Sequence, residues 1–334
     1  MTHSDLRQKY KDILSAIDSA NHIMMVMHQK PDGDTSGACL ALAHYMDTLE
    51  KNYTCFCIDE LSPTLRFMPG SHKITTEEHH WHPKKATFDL LIVLDSGDLR
   101  YAGVADYVDQ LTHDFTIINI DHHATNTAYG DHNLVITTAS STCEIVHNIL
   151  DSTNALNKNI ATCLMTGLVT DTGCFTNLAT SASAIETGAR LLKKGVSMNH
   201  ITKHTMDNRK YAALKLWGRA LERLQKTPYG IVATVITQQD LEECGSGKEA
   251  VEGVANFLNS LDEEVEAPAI LVLSEREKGL IKGSFRTTHP LIDVSKFATI
   301  LGGGGHKKAA GFTVPGKIIL EGNRWSVQPL HQNN

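Results

Sequence analysis

The sequence lacks the marks of a secreted, membrane-spanning or long-nucleic-acid-binding protein. No apolar run approaches the length of a membrane span, and the N-terminal segment carries an amphipathic helical pattern without the apolar core of a signal peptide. The seven cysteines are scattered, odd in number and without a CxxC pair, which predicts reduced, buried thiols. The sequence has 31 Lys and Arg but 38 Asp and Glu, which gives a formal net charge of −7. Proteins that bind long nucleic acid usually have an excess of basic residues instead. We therefore expect a cytoplasmic protein with no membrane partner. Any phosphate-containing ligand that it binds is expected to be a small molecule held at one local site.

What the sequence does contain is a regular alternation of strand and helix patterns. Its 334 residues, 41% of them hydrophobic, suffice for two domains with buried cores. Apolar runs at 22–27, 53–58, 88–94, 115–120 and 132–138 are separated by polar loops and helical segments. The run at 88–94 is almost continuously apolar, as expected for a strand that is covered on both faces. The pattern predicts an α/β fold whose larger N-terminal domain has a mainly parallel, doubly wound sheet.

The second half of the chain predicts a smaller C-terminal α/β domain. A charged helical pattern covers residues 200–226, and the turn sequence TPYG then precedes a new strand, GIVATVIT. These signals divide the chain into an N-terminal domain at 1–195, a helical linker at 196–227 and a C-terminal domain at 228–334. The C-terminal domain contains the glycine-rich segment GGGGH at 302–306, which we expect to be a loop, and ends in a polar stretch without a clear pattern.

Acidic and histidine side chains form four clusters in the N-terminal domain. Three clusters follow predicted strands, where the ligand crevice of an open α/β sheet forms, and the fourth lies near the end of an apolar helix. Their residues are His28, Asp32 and Asp34 in HQKPDGD, Asp95 in LDSGD, Asp121, His122 and His123 in DHH, and Asp171 in GLVTDTGCF. Each Asp alone is more typical of a turn or a helix cap, with Asp34 capping a helix that begins near Thr35. The four clusters together favour one shared site.

Carboxylates gathered in one crevice raise each other's pKa and need cations to stay ionised. Mixed carboxylate oxygens and imidazole nitrogens suit Mn²⁺, or Mg²⁺ with weaker imidazole binding, better than a thiolate-preferring metal. Two such ions about 3.5–4 Å apart would bind a shared hydroxide and a phosphoryl oxygen together. We therefore expect two divalent metal ions, with Mn²⁺ favoured over Mg²⁺.

The four clusters, in this order, resemble the signature of the DHH phosphoesterase superfamily. That signature runs H-x-x-x-D-x-D, an Asp after a strand, D-H-H, and an Asp in a D-T-G segment. The segment GGGGH is similar to the glycine-rich motif of the small C-terminal domain in one branch of the superfamily. The resemblance covers about residues 10–314 and lacks no ligand position. It implies an N-terminal catalytic domain with a two-metal site and a C-terminal substrate-binding domain.

The resemblance also implies a role for each site residue. One metal would be held by His28, Asp32 and Asp95, and the second by Asp34, Asp95, His122 and Asp171, with Asp95 bridging the two. His123 would contact the phosphate and help to neutralise the transition state or protonate the leaving group. Asp121 would orient an imidazole from behind. The substrate-binding residues would be Arg286, Gly303, Gly304, Gly305 and His306.

Several of these features have simpler interpretations from the residues alone. The glycines are also consistent with a flexible turn or a helix stop after FATIL, and Arg286 with a solvated charge at the end of a strand. The histidine-rich segment EEHHWHPKK at 77–85 predicts a solvated loop, and Trp217 is expected to be a packing residue.

Within the superfamily, the length and two-domain plan resemble the bacterial oligoribonucleases that also dephosphorylate 3′-phosphoadenosine 5′-phosphate (pAp). The expected substrates are short RNA oligonucleotides, cleaved to mononucleotides, and pAp, converted to AMP, with a hydroxide activated by two metal ions as nucleophile. The alternatives are a phosphodiesterase for cyclic or linear dinucleotides, a single-strand exonuclease, an inorganic pyrophosphatase and a non-enzymatic nucleotide-binding regulator. The oligomeric state is open, with a homodimer as one option.

Overall fold

The chain divides into two structural units, each with its own sheet and core. The computed structural model describes residues 3–84, 86–206, 211–251, 253–258 and 267–330. Unit 1 covers residues 1–208 and unit 2 covers residues 209–334. The boundary lies inside the segment 196–227, for which the sequence predicts a linker. None of the helices in the described ranges is long and apolar enough to cross a bilayer.

Unit 1 is built on a six-stranded sheet in which all neighbouring strands run parallel. The strands are β1 (His22–Met27), β2 (Asn52–Phe56), β3 (Ile74–Thr75), β4 (Leu90–Leu94), β5 (Thr116–Asp121) and β6 (His132–Val135). Nearly all of β1 and all of β4 are buried, because both faces of the sheet are covered. The predicted α/β fold with a parallel N-terminal sheet is confirmed.

Alternate residues of the central strands enter two different cores. Met25 and Ile92 point into a core formed with helices, whereas Met24 and Leu91 point into a core on the opposite face. The helices of unit 1 are α1 (His3–Ser19), α2 (Gly33–Thr48), α3 (Ala105–Val108), α4 (Thr142–Asp151), α5 (Lys158–Asp171), α6 (Ala182–Lys193) and α7 (Met198–Thr205). Helices α2, α4 and α5 cover the first face, and residues around α3 help to cover the second.

The histidine-rich segment at 77–85 is anchored to the second core, so the prediction of a solvated loop is wrong at its centre. Trp81 is only 2% exposed and packs against Phe56, Phe88 and Tyr107. A short 3₁₀ helix, Glu78–Trp81, directs this indole inward while its neighbouring side chains face outward. The aromatic contacts outweigh the polar composition of the segment.

The spatial order of the strands, β3-β2-β1-β4-β5-β6, creates a switch point between β1 and β4. The chain extends the sheet from β1 through β2 and β3 in one direction and from β4 through β6 in the other. In open α/β sheets, a crevice forms at the carboxyl ends of the strands at such a point. The residues that directly follow β1, β4 and β5 therefore share one crevice.

Unit 2 contains a mixed sheet of shorter and longer strands. The strands are β7 (Gln225–Lys226), β8 (Val232–Ile236), β9 (Ile270–Arg276), β10 (Leu280–Arg286), β11 (Gly304–His306), β12 (Ala309–Glu321) and β13 (Arg324–Pro329). Its order is β11-β12-β10-β9-β8-β7, with β13 paired to β12. The pair β8–β9 is parallel and the other pairs are antiparallel. The helices are α8 (Tyr211–Glu222), α9 (Gln238–Cys244), α10 (Val254–Leu258) and α11 (Val294–Ile300).

Two predictions about the second half of the chain are wrong. The single helix predicted over 200–226 is two helices, α7 and α8, because Ile201 packs into the core of unit 1 whereas Leu216 and Ala220 pack into that of unit 2. The polar C-terminal stretch is not irregular, since β12 and β13 form a hairpin there. Trp217 is a packing residue as expected: it is 7% exposed and its indole N–H donates to the carbonyl of Ala250.

A buried carboxylate joins α8 to the start of α9 in unit 2. The Asp240 side chain is 3% exposed and accepts hydrogen bonds from Arg219 (3.0 Å) and Arg223 (3.0 Å). It also accepts from the backbone N–H and hydroxyl of Thr237, both at 2.8 Å. The Thr237 hydroxyl oxygen in turn accepts from the backbone N–H of Asp240 (3.1 Å), which completes a capping box. Burial would raise the pKa of Asp240, but the hydrogen bonds from Arg223 and Thr237 lower it to about 2.

We predict that Asp240→Asn lowers the free energy of unfolding of unit 2 by about 3 kcal/mol, because it removes the charge that two guanidinium groups face. The contribution of Asp240 is complete above its ordinary pKa of 3.8 and disappears as the pH falls towards about 2. Urea unfolding at pH 7 and pH 2.5 measures both effects. Glu243→Gln is the control, since this carboxylate also contacts Arg219 but is 45% exposed; an equal loss in both variants would contradict the prediction.

Candidate active site

The carboxyl end of β1 leads into α2 through the loop that carries three of the predicted ligands. The Asp32 carboxylate caps α2 by accepting hydrogen bonds from the backbone N–H groups of Asp34 (2.9 Å) and Thr35 (3.1 Å). The cap therefore belongs to Asp32, while Asp34 lies in the first turn of the helix and is fully buried. The same short loop holds the His28 Nε2 atom 3.6 Å from the Asp32 carboxylate.

Helices α2 and α5 pack closely enough to bring Asp34 beside Asp171. Glycine makes this close approach possible at two positions. A Cβ on Gly33 would lie 2.4 Å from the Thr170 hydroxyl, and a Cβ on Gly167 would lie 2.7 Å from the Asp34 carboxylate. Any larger side chain would push the two helices, and with them the two carboxylates, apart.

The N-terminus of α4 holds the buried Asp34 carboxylate. Its two oxygens accept hydrogen bonds from the backbone N–H groups of Thr142 (2.6 Å) and Cys143 (2.8 Å). The positive end of the helix dipole stabilises a carboxylate at this position. The Thr142 hydroxyl also donates to Asp95 (2.9 Å), so one residue contacts both carboxylates.

Sequence reasoning did not single out Thr142 and Cys143 as site residues. A local signal was present, because Ser141 and Glu144 form the S-x-x-E pattern of a helix N-terminus, and the Ser141 hydroxyl does accept from the Glu144 N–H. That signal predicts where α4 begins. It does not predict that the N-terminus of α4 contacts the carboxylate of Asp34, which lies 108 residues earlier in the sequence.

Asp95 sits directly after β4 in an unusual backbone conformation. Its φ is +58°, in the left-handed region that few non-glycine residues adopt. The backbone N–H donates to Ile120 of β5, which fixes this conformation. One carboxylate oxygen then lies 3.6 Å from His28 Nε2, and the other lies 3.5 Å from His122 Nε2. Strained backbone of this kind is typical of functional positions.

The first two imidazoles are oriented by backbone carbonyls. The Nδ1 atom of His28 lies 2.8 Å from the carbonyl oxygen of Gln29, and that of His122 lies 3.4 Å from the carbonyl oxygen of Ala139. Each ring therefore turns its Nε2 atom towards the carboxylates, with His122 Nε2 at 3.4 Å from Asp171. This arrangement is usual for histidines that bind metal through Nε2.

The remaining two residues of the DHH sequence form a separate pair. The Nδ1 atom of His123 lies 2.8 Å from a carboxylate oxygen of Asp121, and Asn126 donates to the other oxygen (2.6 Å). Asp121 is fully buried, whereas His123 is 45% exposed. Burial would raise the pKa of Asp121, but its hydrogen bonds with His123 and Asn126 lower it. This pairing leaves the Nε2 atom of His123 available to a ligand.

The side chains converge into overlapping groups of potential metal ligands. In each group, the ligand atoms lie within 4.8 Å of one another. The groups are His28 with Asp32 and Asp95, Asp34 with His122 and Asp171, and Asp95 with His122 and His123. Carboxylate oxygens and imidazole nitrogens fit a hard or borderline divalent ion. Of the predicted unit 1 site residues, only Asp121 lies outside these groups.

The electrostatics of the centre show that it needs positive charge. Burial and the neighbouring Asp95 raise the pKa of Asp171 to about 8, and the same causes raise that of Asp34 well above its ordinary value. Burial alone would lower the pKa of His28, but its hydrogen bonds with Asp32 and Asp95 raise it to about 11. These directions all reflect an excess of negative charge, which bound cations would neutralise.

The glycine-rich segment of unit 2 is a helix stop followed by a hairpin strand, so the expected loop is not found as such. Gly302 follows Leu301, the C-cap of α11, and has φ +73°, which is the usual conformation at the end of a helix. A Cβ on Gly303 would lie 2.1 Å from the carbonyl oxygen of Gly311, and Gly305 has φ +142°. Gly304 differs, because a Cβ there would meet nothing within 4 Å. The fold thus accounts for three of the four glycines.

Arg286 and His306 lie on one row of the unit 2 sheet. Both are directly paired with Ala309 of β12, Arg286 from β10 and His306 from β11. Paired residues of antiparallel strands point to the same face, so these two cation-bearing side chains flank a small alanine. Arg286 is half-buried and donates to the carbonyl of Phe285, whereas His306 is exposed.

Phosphoester hydrolysis is the chemistry that the centre in unit 1 supports, because divalent ions held by Asp and His neutralise phosphoryl oxygens and activate water. The comparisons with known proteins assign the chain to this class of hydrolase. A profile for the N-terminal domain of the DHH family matches residues 22–168, and one for the DHHA1 domain matches residues 230–323. The chain belongs to the DHH family of phosphoesterases.

Individual relatives agree with this assignment. A Thermus thermophilus protein named bifunctional oligoribonuclease and PAP phosphatase NrnA is 30% identical over 308 residues, which are 91% of this chain and 87% of that protein. The Bacillus subtilis protein of the same name is 23% identical over 313 residues, 91% and 92% of the two chains. An exopolyphosphatase-related protein from Bacteroides fragilis shares the fold, with a TM-score of 0.81, 24% identity and coverage of 92% and 91%.

We predict that Gly167→Ala destabilises unit 1 by about 1–3 kcal/mol, because its methyl group would collide with Cys143 and the Asp34 carboxylate. Gly218→Ala in α8 is the control, since a Cβ there meets nothing within 4 Å and alanine favours the helix by about 0.5–1 kcal/mol. Urea unfolding should give opposite signs for the two variants. A neutral Gly167→Ala would show that the packing of α2 on α5 is looser than described.

We also predict that Mn²⁺ raises the Tm of the wild-type protein and that Asp95→Asn abolishes most of the increase. At 100 times Kd the ion adds about 2.7 kcal/mol, or about 5–10 °C for a unit of this size. Asparagine tolerates the positive φ of Asp95, so the variant removes charge without adding backbone strain. Asp106→Asn, an exposed carboxylate of α3, should keep the full increase; the same loss in both variants would contradict a specific site.

Proposed function

We propose that the protein degrades short oligoribonucleotides to mononucleotides and removes the 3′-phosphate of pAp to give AMP. The observation that carries the proposal is the gathering of Asp and His side chains from four distant segments at the switch point of a DHH-family unit. Both activities stand in the names of the Thermus thermophilus and Bacillus subtilis relatives, which align over nearly the whole chain. We propose the cytoplasm as the place of action.

Two divalent ions, with Mn²⁺ preferred, are proposed to act at this centre, where they would supply an activated water and neutralise phosphoryl charge. One ion would be held by His28, Asp32 and Asp95, and the other by Asp34, Asp95, His122 and Asp171. The two oxygens of Asp95 face different imidazoles, which suits a bridging role. The N-terminus of α4 supports this role by holding Asp34 and Asp95 in fixed orientations.

His123 is proposed to act on the substrate directly. Its Nδ1 atom is paired with Asp121, and the pKa of His123 is raised, first by that hydrogen bond. The ring is thereby held with Nε2 available to donate to a phosphoryl oxygen or to the leaving oxygen. Asp121 acts through His123 and is therefore a positioning residue.

Unit 2 is proposed to bind the part of the substrate that does not react. Arg286 and His306 can donate to phosphate from one row of the sheet, and the exposed Gly304 offers backbone without an obstructing side chain. This arrangement favours a nucleotide over pyrophosphate, which has no distal part to bind. Binding energy from a remote group of this kind can be used to accelerate the reaction.

The proposal is tested by incubating the purified protein with Mn²⁺ and separate substrates, followed by chromatography of the products. We expect a trinucleotide of RNA to give mononucleotides and pAp to give AMP, with little turnover of pyrophosphate or a cyclic dinucleotide. Asp95→Asn should reduce turnover at least about 100-fold, because it weakens both metal positions. Asp106→Asn should retain the wild-type rate.

The alternatives give different results in the same experiment. Turnover of pyrophosphate alone would indicate a pyrophosphatase, and turnover of the cyclic dinucleotide alone a dinucleotide phosphodiesterase. Binding of nucleotides without any product would indicate a regulator. Each of these outcomes would overturn the proposed function.

A further inference from the structure

Two further basic side chains, Arg276 and Lys282, lie on the sheet of unit 2, farther along β9 and β10 from the row that contains Arg286 and His306. A pocket of about 260 Å³ opens over β9 and β10. Its polar lining consists of Ser274, Arg276, Lys282, Ser284 and Arg286, and Val251, Gly253 and Ala255 form part of its wall. The pocket belongs to unit 2 alone.

The strand register explains why these side chains share one face. Lys282 pairs with Ser274, and the next row along the strands contains Arg276 opposite Leu280. Residues two apart on a strand point to the same side, so Arg286, Ser284 and Lys282 follow one another along β10. The intervening residues Ile281 and Phe285 point into the core on the opposite face.

Distance along β10 separates this part of the face from the row of Arg286 and His306. With about 3.4 Å per residue, Lys282 lies about 14 Å of strand away from Arg286. The face between them is low, because Ser284 has a small side chain and its β12 partner Gly311 has none. A chain-like ligand held at Arg286 can therefore continue along β10 towards Lys282 without obstruction.

The positive charges of Arg276 and Lys282 are not balanced within the pocket, since none of the described residues that line it is acidic. In the part of the chain that the structure describes, the side chains of Arg276 and Lys282 take part in no hydrogen bond or ion pair, although the protein as a whole carries a net charge of −7. Cations that lie close together repel one another unless an anion joins them. Arginine, lysine and hydroxyl groups are the side chains that bind phosphate oxygens.

The size of the pocket limits what it can hold. At about 260 Å³ it is smaller than the 300–1,000 Å³ typical of sites that enclose a whole small-molecule ligand. It suits one phosphate group with part of a sugar, bound at the side of a longer chain. A polar groove that follows the backbone in this way is how proteins hold single strands without reading their sequence.

We propose that this pocket binds a backbone phosphate of oligoribonucleotides longer than two residues, with Lys282 and Arg276 as the determinants of preference for length. The inference rests on the proposed function and adds a subsite to it. If Arg286 holds the nucleotide next to the reacting phosphate, a dinucleotide or pAp would have no further nucleotide to place near Lys282, about 14 Å of strand away. These substrates would then not use the subsite. A tetranucleotide would gain an additional phosphate contact there.

The test compares Lys282→Gln and Arg276→Gln with the wild-type protein on a dinucleotide, a tetranucleotide and pAp in the presence of Mn²⁺. We expect each variant to raise KM for the tetranucleotide about five- to tenfold with kcat unchanged, and to change KM for the dinucleotide and pAp less than twofold. Lys282→Arg should restore the wild-type KM, because it keeps the charge. Lys317→Gln, which removes an exposed cation of β12 outside the pocket, is the matched control.

A binding measurement separates this inference from the proposed function. Anisotropy of a labelled tetranucleotide in EDTA reports affinity without hydrolysis, and loss of one phosphate contact should reduce the slope of log Kd against log salt concentration by about 0.7. If the wild-type protein hydrolyses no oligonucleotide, the proposed function is wrong, and the salt slope alone decides on the pocket.

Two results would overturn the inference. The first is an unchanged tetranucleotide KM and salt slope in both variants, with wild-type Tm values that show intact folding. The second is an equal effect on the dinucleotide, pAp and tetranucleotide, which would assign the pocket to a part common to all substrates or to a regulatory phosphate compound.

Discussion

The strongest constraint on unit 1 is the repulsion between carboxylates that are buried in one small volume. Asp34 and Asp171 lie in the same group of potential ligands, and Asp95 raises the pKa of both. A protein gains nothing in stability from such an arrangement, because each ionised group loses hydration and faces its neighbours at short distance. The arrangement becomes favourable when cations bind between the carboxylates, which makes it a feature of function and not of folding.

The remainder of the centre holds the ligands against this repulsion. Most of these contacts come from backbone groups. The N-terminus of α4 donates to Asp34, a carbonyl of β5 accepts from the N–H of Asp95, and other carbonyls orient His28 and His122. Backbone groups of packed helices and strands cannot move independently, so these contacts fix the side chains relative to one another. The close contact of α2 and α5, which glycines permit, belongs to the same design.

The sequence predicts the parts of this arrangement that depend on the pattern of apolar and polar residues within one short segment. Apolar runs locate β1, β2, β4, β5 and β6 within a few residues, but not the two-residue β3. Polar residues directly after β1, β4 and β5 must meet at one sheet edge once the strands are parallel. The contact of Thr142 and Cys143 with Asp34 could not be predicted in the same way, because it depends on how two distant helices pack. The helical pattern at 200–226 failed for a related reason: periodicity is continuous there, but its two halves pack into different cores.

On the proposed function, the Asp and His centre alone would give little selectivity among phosphoesters, since metal ions held there would contact a phosphate group that many substrates share. Selectivity would then come from residues that contact the rest of the substrate, a role that we propose for the separated cations and small residues on the face of the unit 2 sheet. The glycine run illustrates how folding and binding are divided there. Gly302, Gly303 and Gly305 are required by backbone geometry, whereas Gly304 is not. Gly304 is therefore the position at which the contribution of this segment to ligand binding can be separated from its contribution to the fold.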